Sequence, residues 1–200
     1  MNIIYFPGFR STSSSEKAVA IRKFCESNGH RFIPFEYPGT YDSKAIDFVA
    51  NCFLYSLPNP NETILVGSSF GGWWALKLGA EWNLPALVIN PSLHPSENSL
   101  AVYAHDGVVE SFDGTKSFVI TPSIVDAYSR LDCHPAKESS KTVFVCLDDE
   151  VLDVPKTIRE LSGHAEIIEL PTGGHSGNEH MSKYLDKLKE TINLFGYENS

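Results

Sequence analysis

The sequence is short of positive charge. Sixteen Lys and Arg residues stand against twenty-five Asp and Glu residues, which gives a formal net charge of −9 over 200 residues. No run rich in Lys or Arg interrupts this balance. Because nucleic-acid binding depends on clustered basic side chains that neutralise phosphates, we do not expect a nucleic-acid partner.

Long apolar runs are also missing. No stretch approaches the ~20 apolar residues that a membrane-spanning helix needs. Residues 1–7 have neither the basic region nor the apolar length of a secretion signal. We therefore expect no membrane association, predict a cytoplasmic location and assign residues 3–6 to the first strand of the fold.

Cysteine is scarce and unpaired in the sequence. The four cysteines are Cys25, Cys52, Cys133 and Cys146, and none belongs to a Cys-x-x-Cys pair. Buried free thiols in a reducing cytosol are the expected state for such residues. One disulfide or one reactive thiol is the alternative.

Strand-like and helix-like segments alternate along most of the chain. Apolar runs predict six strands, near residues 3–6, 31–36, 63–66, 86–89, 142–147 and 165–170. Single helices between strands form βαβ units. This pattern predicts an α/β fold: a three-layer sandwich with a mainly parallel sheet of about six strands and helices on both faces. Pro34 favours an edge position for the second strand.

One segment, residues 92–140, interrupts this alternation. Within it, two short apolar runs predict a hairpin, and a helix follows near residues 123–131. We interpret residues 1–200 as a single domain in which this segment is a cap or insertion placed before the fifth predicted strand. Its aromatic residues Tyr103 and Phe118 are candidate substrate-binding residues, with a small core of the segment itself as the alternative role.

Residues 67–72 read Gly-Ser-Ser-Phe-Gly-Gly and match the pattern G-x-S-x-G. They lie between a predicted strand and a predicted helix, which is the setting that this nucleophile motif requires. The register makes Ser69 the nucleophile. We expect glycine at Gly67 and Gly71 because larger side chains would collide with the serine. A phosphate-binding turn is the alternative, but neither a Walker lysine nor G-x-G-x-x-G spacing is present.

A serine hydroxyl needs a histidine base that a carboxylate orients, in the chain order Ser, Asp or Glu, His. The acidic run at 148–153 follows the fifth predicted strand, and His175 follows the sixth. In a parallel sheet both loops open at the same edge as Ser69. We favour Asp149 as the acid, with Asp148 next.

His180 is the rival base, and we expect it to begin the final helix and point away. A zinc site that uses both histidines matches no standard ligand spacing, so neither a metal nor a cofactor is expected. The oxyanion of an acyl-transfer reaction needs two backbone N–H donors. We predict Phe70, directly after the serine, and Phe9, in the loop that Gly8 allows to turn tightly after the first strand.

These segments together resemble the α/β-hydrolase superfamily, and within it the compact YqiA/YcfP-like esterase family. The resembling residues are 4–11, 67–72, 89–92, 149–153 and 173–175. The resemblance implies Ser69, Asp149 and His175 as a catalytic triad, and a sheet that lacks the first two strands of larger hydrolases. Pro7 stands where the family usually has the histidine of a His-Gly-Phe loop.

Two functions are compatible with these observations. The first is a serine hydrolase that cleaves a carboxylic ester or thioester of a small acyl substrate through an acyl-enzyme intermediate. The second is a non-catalytic binding protein on a hydrolase scaffold, for which Pro7 and an interaction surface at the bulky Trp73-Trp74 pair would be the evidence. We expect the two tryptophans instead to pack against the sheet and the insertion. The complete set of serine, acid and histidine favours the enzyme. Nothing in the sequence specifies an oligomeric state.

Overall fold

The computed structural model describes residues 1–131 and 140–198, with side chains described to residue 195. The strands are β1 (Asn2–Phe6), β2 (Arg31–Pro34), β3 (Thr63–Ser68), β4 (Ala86–Ile89), β5 (Gly107–Glu110), β6 (Ser117–Ile120), β7 (Lys141–Cys146) and β8 (Glu166–Leu170). The helices are α1 (Glu16–Ser27), α2 (Ser43–Tyr55), α3 (Phe70–Trp82), α4 (Ser99–Tyr103), α5 (Pro122–Tyr128), α6 (Val154–Leu161) and α7 (Met181–Glu198). Short 3₁₀ turns lie at Pro95–Glu97 and Asn178–His180.

Six strands form one sheet in the order β2-β1-β3-β4-β7-β8, and every neighbouring pair is parallel. The predicted fold class is therefore confirmed, as is the edge position of β2. The chain leaves β1 toward β2 on one side and returns to β3 on the other. Ligands of open parallel sheets bind where the strand order reverses in this way, so the loops after β1 and β3 border such a crevice.

Alternating side chains of β1 show that both faces of the sheet are buried. Ile3 and Tyr5 belong to a core cluster with residues of α1 and α7. Ile4 and Phe6 belong to a second cluster with residues of α2 and α3. Burial on both faces is what makes strands of a parallel sheet read as continuous apolar runs.

The segment predicted as an insertion has the predicted hairpin, formed by antiparallel β5 and β6. Helix α5 follows it, and residues 132–139, with Cys133, lie outside the described residues. Phe118 of β6 is 2% exposed, and its ring lies 5.0 Å from that of Tyr41. The assignment of residues 1–200 to one domain with 92–140 as its insertion remains a prediction.

The expected packing of Trp73 and Trp74 is found, and one expectation about the burial of the cysteines is corrected. Trp73 and Trp74 lie in the core, 1% and 0% exposed, so they form no interaction surface. Cys25 and Cys146 are buried free thiols as expected, but Cys52 is a free thiol on the exposed side of α2. The buried face of α2 consists of Ser43, Ile46, Ala50 and Leu54, and Cys52 lies outside it. Within the described part of the chain, no helix has both the length and the apolar character needed to cross a membrane.

Candidate active site

Ser69 occupies a sharp turn between β3 and α3. Its backbone has φ 53° and ψ −120°, a left-handed region that non-glycine residues rarely adopt. Its N–H donates to the Ile89 carbonyl of β4 at 3.0 Å, and its carbonyl accepts from the N–H of Ser92 at 3.0 Å. The turn is thus held by the neighbouring strand and the loop that follows it.

The glycines around Ser69 are needed for a reason other than the one predicted. A Cβ at Gly71 would lie 2.0 Å from the carbonyl oxygen of Phe6, and a Cβ at Gly67 would lie 2.3 Å from the carbonyl oxygen of Gly71. The limiting contacts are therefore with backbone atoms of β1 and of the elbow itself. Close packing of the first turn of α3 against the sheet, rather than space for the serine, excludes larger residues.

The structure brings Ser69, His175 and Asp149 together. His175 Nε2 lies 2.9 Å from Ser69 Oγ, and His175 Nδ1 lies 2.9 Å and 3.1 Å from the two carboxylate oxygens of Asp149. Because an ionised carboxylate only accepts hydrogen bonds, Nδ1–H donates to Asp149, which leaves Nε2 free to accept from the serine hydroxyl. The side chain of Asp149 is 1% exposed and that of His175 is 22% exposed.

Asp149 is held in its ionised form. Burial alone would raise the pKa of this carboxyl, but the hydrogen bond and charge of His175 lower it, and so do the N–H groups of Val151 and Leu152. These two N–H groups donate to Asp149 Oδ1 at 2.8 Å and 3.0 Å. The net result is a pKa below the ordinary value, so Asp149 is a carboxylate at neutral pH.

The neighbouring acids hold the histidine loop. Asp148 accepts from the N–H groups of Gly173 and Gly174, the second at 2.8 Å, and Glu150 accepts from the backbone N–H of His175 at 2.9 Å. These roles of Asp148 and Glu150 were not among the predictions from the sequence. One sequence feature could have indicated them. Gly173 and Gly174 have no side chains to shield their backbone N–H groups, and the acidic run at 148–153 offers acceptors for such groups.

Asn90, at the end of β4, is a further residue of the site for which no role was predicted from the sequence. Its side-chain amide donates to the carbonyls of Gly174 and His175 at 3.0 Å and 2.9 Å, and its Oδ1 accepts from the N–H of Cys146 at 2.8 Å. Its backbone has φ 44°, which asparagine tolerates better than most residues. Asn90 thus connects the ends of β4 and β7 with the loop that follows β8.

The loop after β1 is held by two tyrosines. The Tyr37 hydroxyl donates to the Pro7 carbonyl at 2.8 Å, and the N–H of Arg10 donates to the Tyr41 hydroxyl at 2.7 Å. Pro7 thus takes part in this support through its carbonyl, which needs no N–H. Among the hydrogen bonds of the described residues, none uses the N–H of Phe9.

A cavity of about 440 Å³ opens beside Ser69 and His175. Phe9 and Tyr103 line it, whereas Phe118 is absent from its described lining because its ring is buried against Tyr41. Its lining also includes Arg10, Glu16, Lys17, Phe112, Ser176 and Asn178.

His180 lies outside this arrangement. Its Nε2 is 2.7 Å from the carbonyl oxygen of Thr172, and it ends the 3₁₀ turn before α7. Over residues 1–131 and 140–198, no three His, Cys, Asp or Glu side chains are grouped as a metal site requires.

Comparisons with known proteins agree with this fold. A rat protein, "Palmitoyl-protein thioesterase ABHD10, mitochondrial", is 36% identical over 124 residues, which are 55% of this chain and 37% of that protein. The chain thus spans little more than a third of that relative. A UPF0227 protein of Vibrio parahaemolyticus is 26% identical over 194 residues, which cover 96% of this chain and 99% of that one.

Among solved structures, mouse "Alpha/beta hydrolase domain-containing protein 10" matches with a TM-score of 0.73 at 19% identity, covering 96% of this chain and 89% of that one. At this identity the match shows the α/β-hydrolase fold. A family model described as "Uncharacterised protein family (UPF0227)" matches residues 2–193, so the predicted resemblance is confirmed and the chain belongs to this family.

Proposed function

We propose that the protein is a serine hydrolase that cleaves a carboxylic ester or thioester of a small acyl substrate. The observation that carries the proposal is the continuous set of contacts from Ser69 Oγ through the His175 ring to the Asp149 carboxylate, each 2.9 Å. This is the geometry that nucleophilic catalysis by a hydroxyl requires. The fold alone would not support it, since the same scaffold hosts many functions.

In the proposed acylation step, Ser69 Oγ attacks the substrate carbonyl while His175 Nε2 takes the hydroxyl proton. The tetrahedral intermediate collapses when His175 returns that proton to the leaving alcohol or thiol, and an acyl-enzyme remains. Water then repeats the sequence and releases the acid. Asp149 keeps the imidazole in the required tautomer and stabilises its protonated form.

In this proposal the N–H groups of Phe9 and Phe70 stabilise the negative oxygen of the intermediate. Phe70 is the first residue of α3, so its N–H has no partner within the helix. A Cβ on Gly8, the residue before Phe9, would lie 3.5 Å from the Cβ of Ser69, so the loop that carries Phe9 lies against the serine. Donors of this kind contribute about 10²–10³ in rate each.

The relatives support hydrolase chemistry of this class. The rat protein with 36% identity carries the name of a palmitoyl-protein thioesterase. Thioester and ester cleavage use the same nucleophile, base and oxyanion donors, so this name is compatible with the site described above. The alternative of a non-catalytic binding protein loses one of its two supports, because Trp73 and Trp74 are buried.

The test is hydrolysis of p-nitrophenyl butyrate by the purified protein and by Ser69→Ala. We expect the substitution to lower kcat by about 10⁴–10⁶-fold, as for other triad nucleophiles. Ser68→Ala is the matched control, because Ser68 precedes the nucleophile and belongs to β3. Equal rates for the wild type and Ser69→Ala would refute the proposal.

A further inference from the structure

Arg10 extends from the proposed oxyanion loop into the cavity beside Ser69. Its guanidinium carbon lies 5.2 Å from the ring centre of Tyr103 and 4.8 Å from that of Phe112. Its Nε donates to the carbonyl of Glu110 at 2.6 Å, and one terminal nitrogen donates to the Tyr103 hydroxyl at 3.2 Å. Two aromatic rings and two hydrogen bonds thus fix the orientation of this cation.

Within the described residues, no carboxylate forms an ion pair with Arg10. Two carboxylates share surface depressions with it, and both are engaged elsewhere. Asp113 accepts from four hydroxyl groups and from the N–H of Thr115, and Glu16 accepts from the side-chain amide of Asn178 at 2.8 Å. A guanidinium has five N–H donors, so three remain for a ligand.

A second cation borders the same cavity. Lys17 is 9% exposed, and its ammonium group donates to the carbonyl of Ser176 and to Asn178 Oδ1. In the part of the chain that the structure describes, it too forms no ion pair with a carboxylate. The described lining therefore contains two cations and one carboxylate, Glu16, in a protein whose net charge is −9.

We infer that Arg10 is a specificity-determining residue and that the substrate is an ester carrying a carboxylate, which Arg10 binds beside Ser69. This inference rests on the function proposed above and names the class of substrate for that site. A planar guanidinium binds a carboxylate through two parallel hydrogen bonds, and it is easily desolvated next to aromatic rings. The two cations and one carboxylate of the described lining leave a net charge of +1, which balances a carboxylate rather than a phosphate dianion.

Two matched pairs of substrates test the inference. The first pair is the mono-p-nitrophenyl ester of adipic acid and the corresponding primary amide, which differ by one charge on the acyl side. The second pair is p-butyryloxybenzoate and its primary amide, which differ by one charge on the leaving group. The measured quantity is the ratio of kcat/KM for the acid over kcat/KM for the amide.

We expect wild-type protein to prefer the acid in at least one pair. Arg10→Gln should lower that ratio by about 10- to 100-fold, in line with the loss of a charged hydrogen-bonded pair, and Arg10→Lys should retain part of it. Arg22→Gln is the control: Arg22 also lies over one aromatic ring, Phe32, and donates to a backbone carbonyl, but it does not line the cavity. If Arg10 had only a structural role, Arg10→Gln would lower kcat/KM for the acid and for the amide alike and leave their ratio unchanged.

Binding gives a second readout that does not depend on hydrolysis. Phenylacetate should raise the Tm of Ser69→Ala, whereas phenylacetamide should not, and Arg10→Gln should abolish the effect of phenylacetate. Activity that requires Ser69, with acid-to-amide ratios that Arg10→Gln does not change, would overturn the inference and leave the proposed hydrolase intact. Hydrolysis that survives Ser69→Ala would refute the proposed function, and the phenylacetate shift would still decide whether Arg10 binds carboxylates.

Discussion

The carboxylate of Glu150 accepts a hydrogen bond from the backbone N–H of His175 at 2.9 Å. Asp148 binds the two residues before it in the same way, and Asn90 binds the carbonyl of His175. The backbone of residues 173–175, which carries the imidazole, is therefore bound by side chains from the loops after β4 and β7. The position of the proposed base depends on this backbone support as much as on the side-chain contact with Asp149.

The two adjacent aspartates should respond differently to neutralisation. Asp149→Asn removes the acceptor that fixes the His175 tautomer, and we expect kcat to fall by about 10³–10⁴-fold. Asp148→Asn weakens only the contacts to Gly173 and Gly174, and we expect a loss of about 10-fold or less, comparable to one hydrogen bond to a charged group. Steady-state kinetics on p-nitrophenyl butyrate measures both. A larger loss of kcat for Asp148→Asn than for Asp149→Asn would show that Asp148, rather than Asp149, orients His175.

The lowered pKa of Asp149 predicts how its contribution to stability varies with pH. Because its pKa in the folded protein lies below the unfolded value of about 3.9, the ionised carboxylate stabilises the fold above that pH. The contribution is lost as the pH falls through the folded value. The difference in Tm between wild type and Asp149→Asn should therefore be largest above about pH 5 and shrink below about pH 4.

Thermal unfolding of both proteins at constant ionic strength, followed from neutral to acid pH, checks this expectation. A difference in Tm that stays constant over the whole range would show that the charge of Asp149 does not stabilise the fold.

The tyrosines behind the loop after β1 should affect activity without touching the substrate. Tyr37→Phe leaves the buried Pro7 carbonyl without its donor, which should lower the free energy of unfolding by about 1–3 kcal/mol. If Phe9 supplies an oxyanion donor, looser anchoring of this loop should also lower kcat more than it raises KM. Tyr55→Phe is the control, because it removes the hydroxyl of an exposed tyrosine at the end of α2. An unchanged kcat in Tyr37→Phe would show that the hydrogen bond from Tyr37 to Pro7 does not contribute to catalysis.

The close approach of α3 to β1 predicts a strong effect of one added methyl group. Gly71→Ala would place a Cβ 2.0 Å from the Phe6 carbonyl oxygen, and we expect a loss of about 3 kcal/mol or more in the free energy of unfolding. Gly8→Ala, whose Cβ would meet its nearest atom at 3.3 Å, should cost much less. Urea unfolding measures both. Equal losses in the free energy of unfolding for Gly71→Ala and Gly8→Ala would mean that a small shift of α3 away from β1 relieves the contact.

The sequence predicted the fold well because its strongest signals are local. The strand at residues 86–89 was predicted to the residue, since both faces of β4 are buried and Asn90-Pro91 ends it. The side chains of Ser69, Asp149 and His175 could be expected to meet, because parallel strands end at one edge and each residue follows a strand. The family resemblance then implied the same three residues, including Asp149, which the position after the fifth predicted strand had already favoured.

Other features could not be predicted, because they depend on which surfaces meet. An aromatic residue such as Phe118 is compatible with a substrate surface or a core, and only the packing of β6 against Tyr41 shows it buried. The contacts of Glu150 and Asn90 join positions that are far apart in sequence, and no local pattern encodes them. The predicted catalytic roles, substrate-binding residues and cytoplasmic location remain predictions.

Covalent labelling tests the central claim most directly. A fluorophosphonate probe reacts only with an activated hydroxyl, so intact-mass measurement after incubation with the native protein should show one adduct, located on Ser69 by peptide mapping. Ser69→Ala should show no adduct, and His175→Ala should label far more slowly. An unlabelled wild-type protein, or an adduct at another residue, would contradict the account.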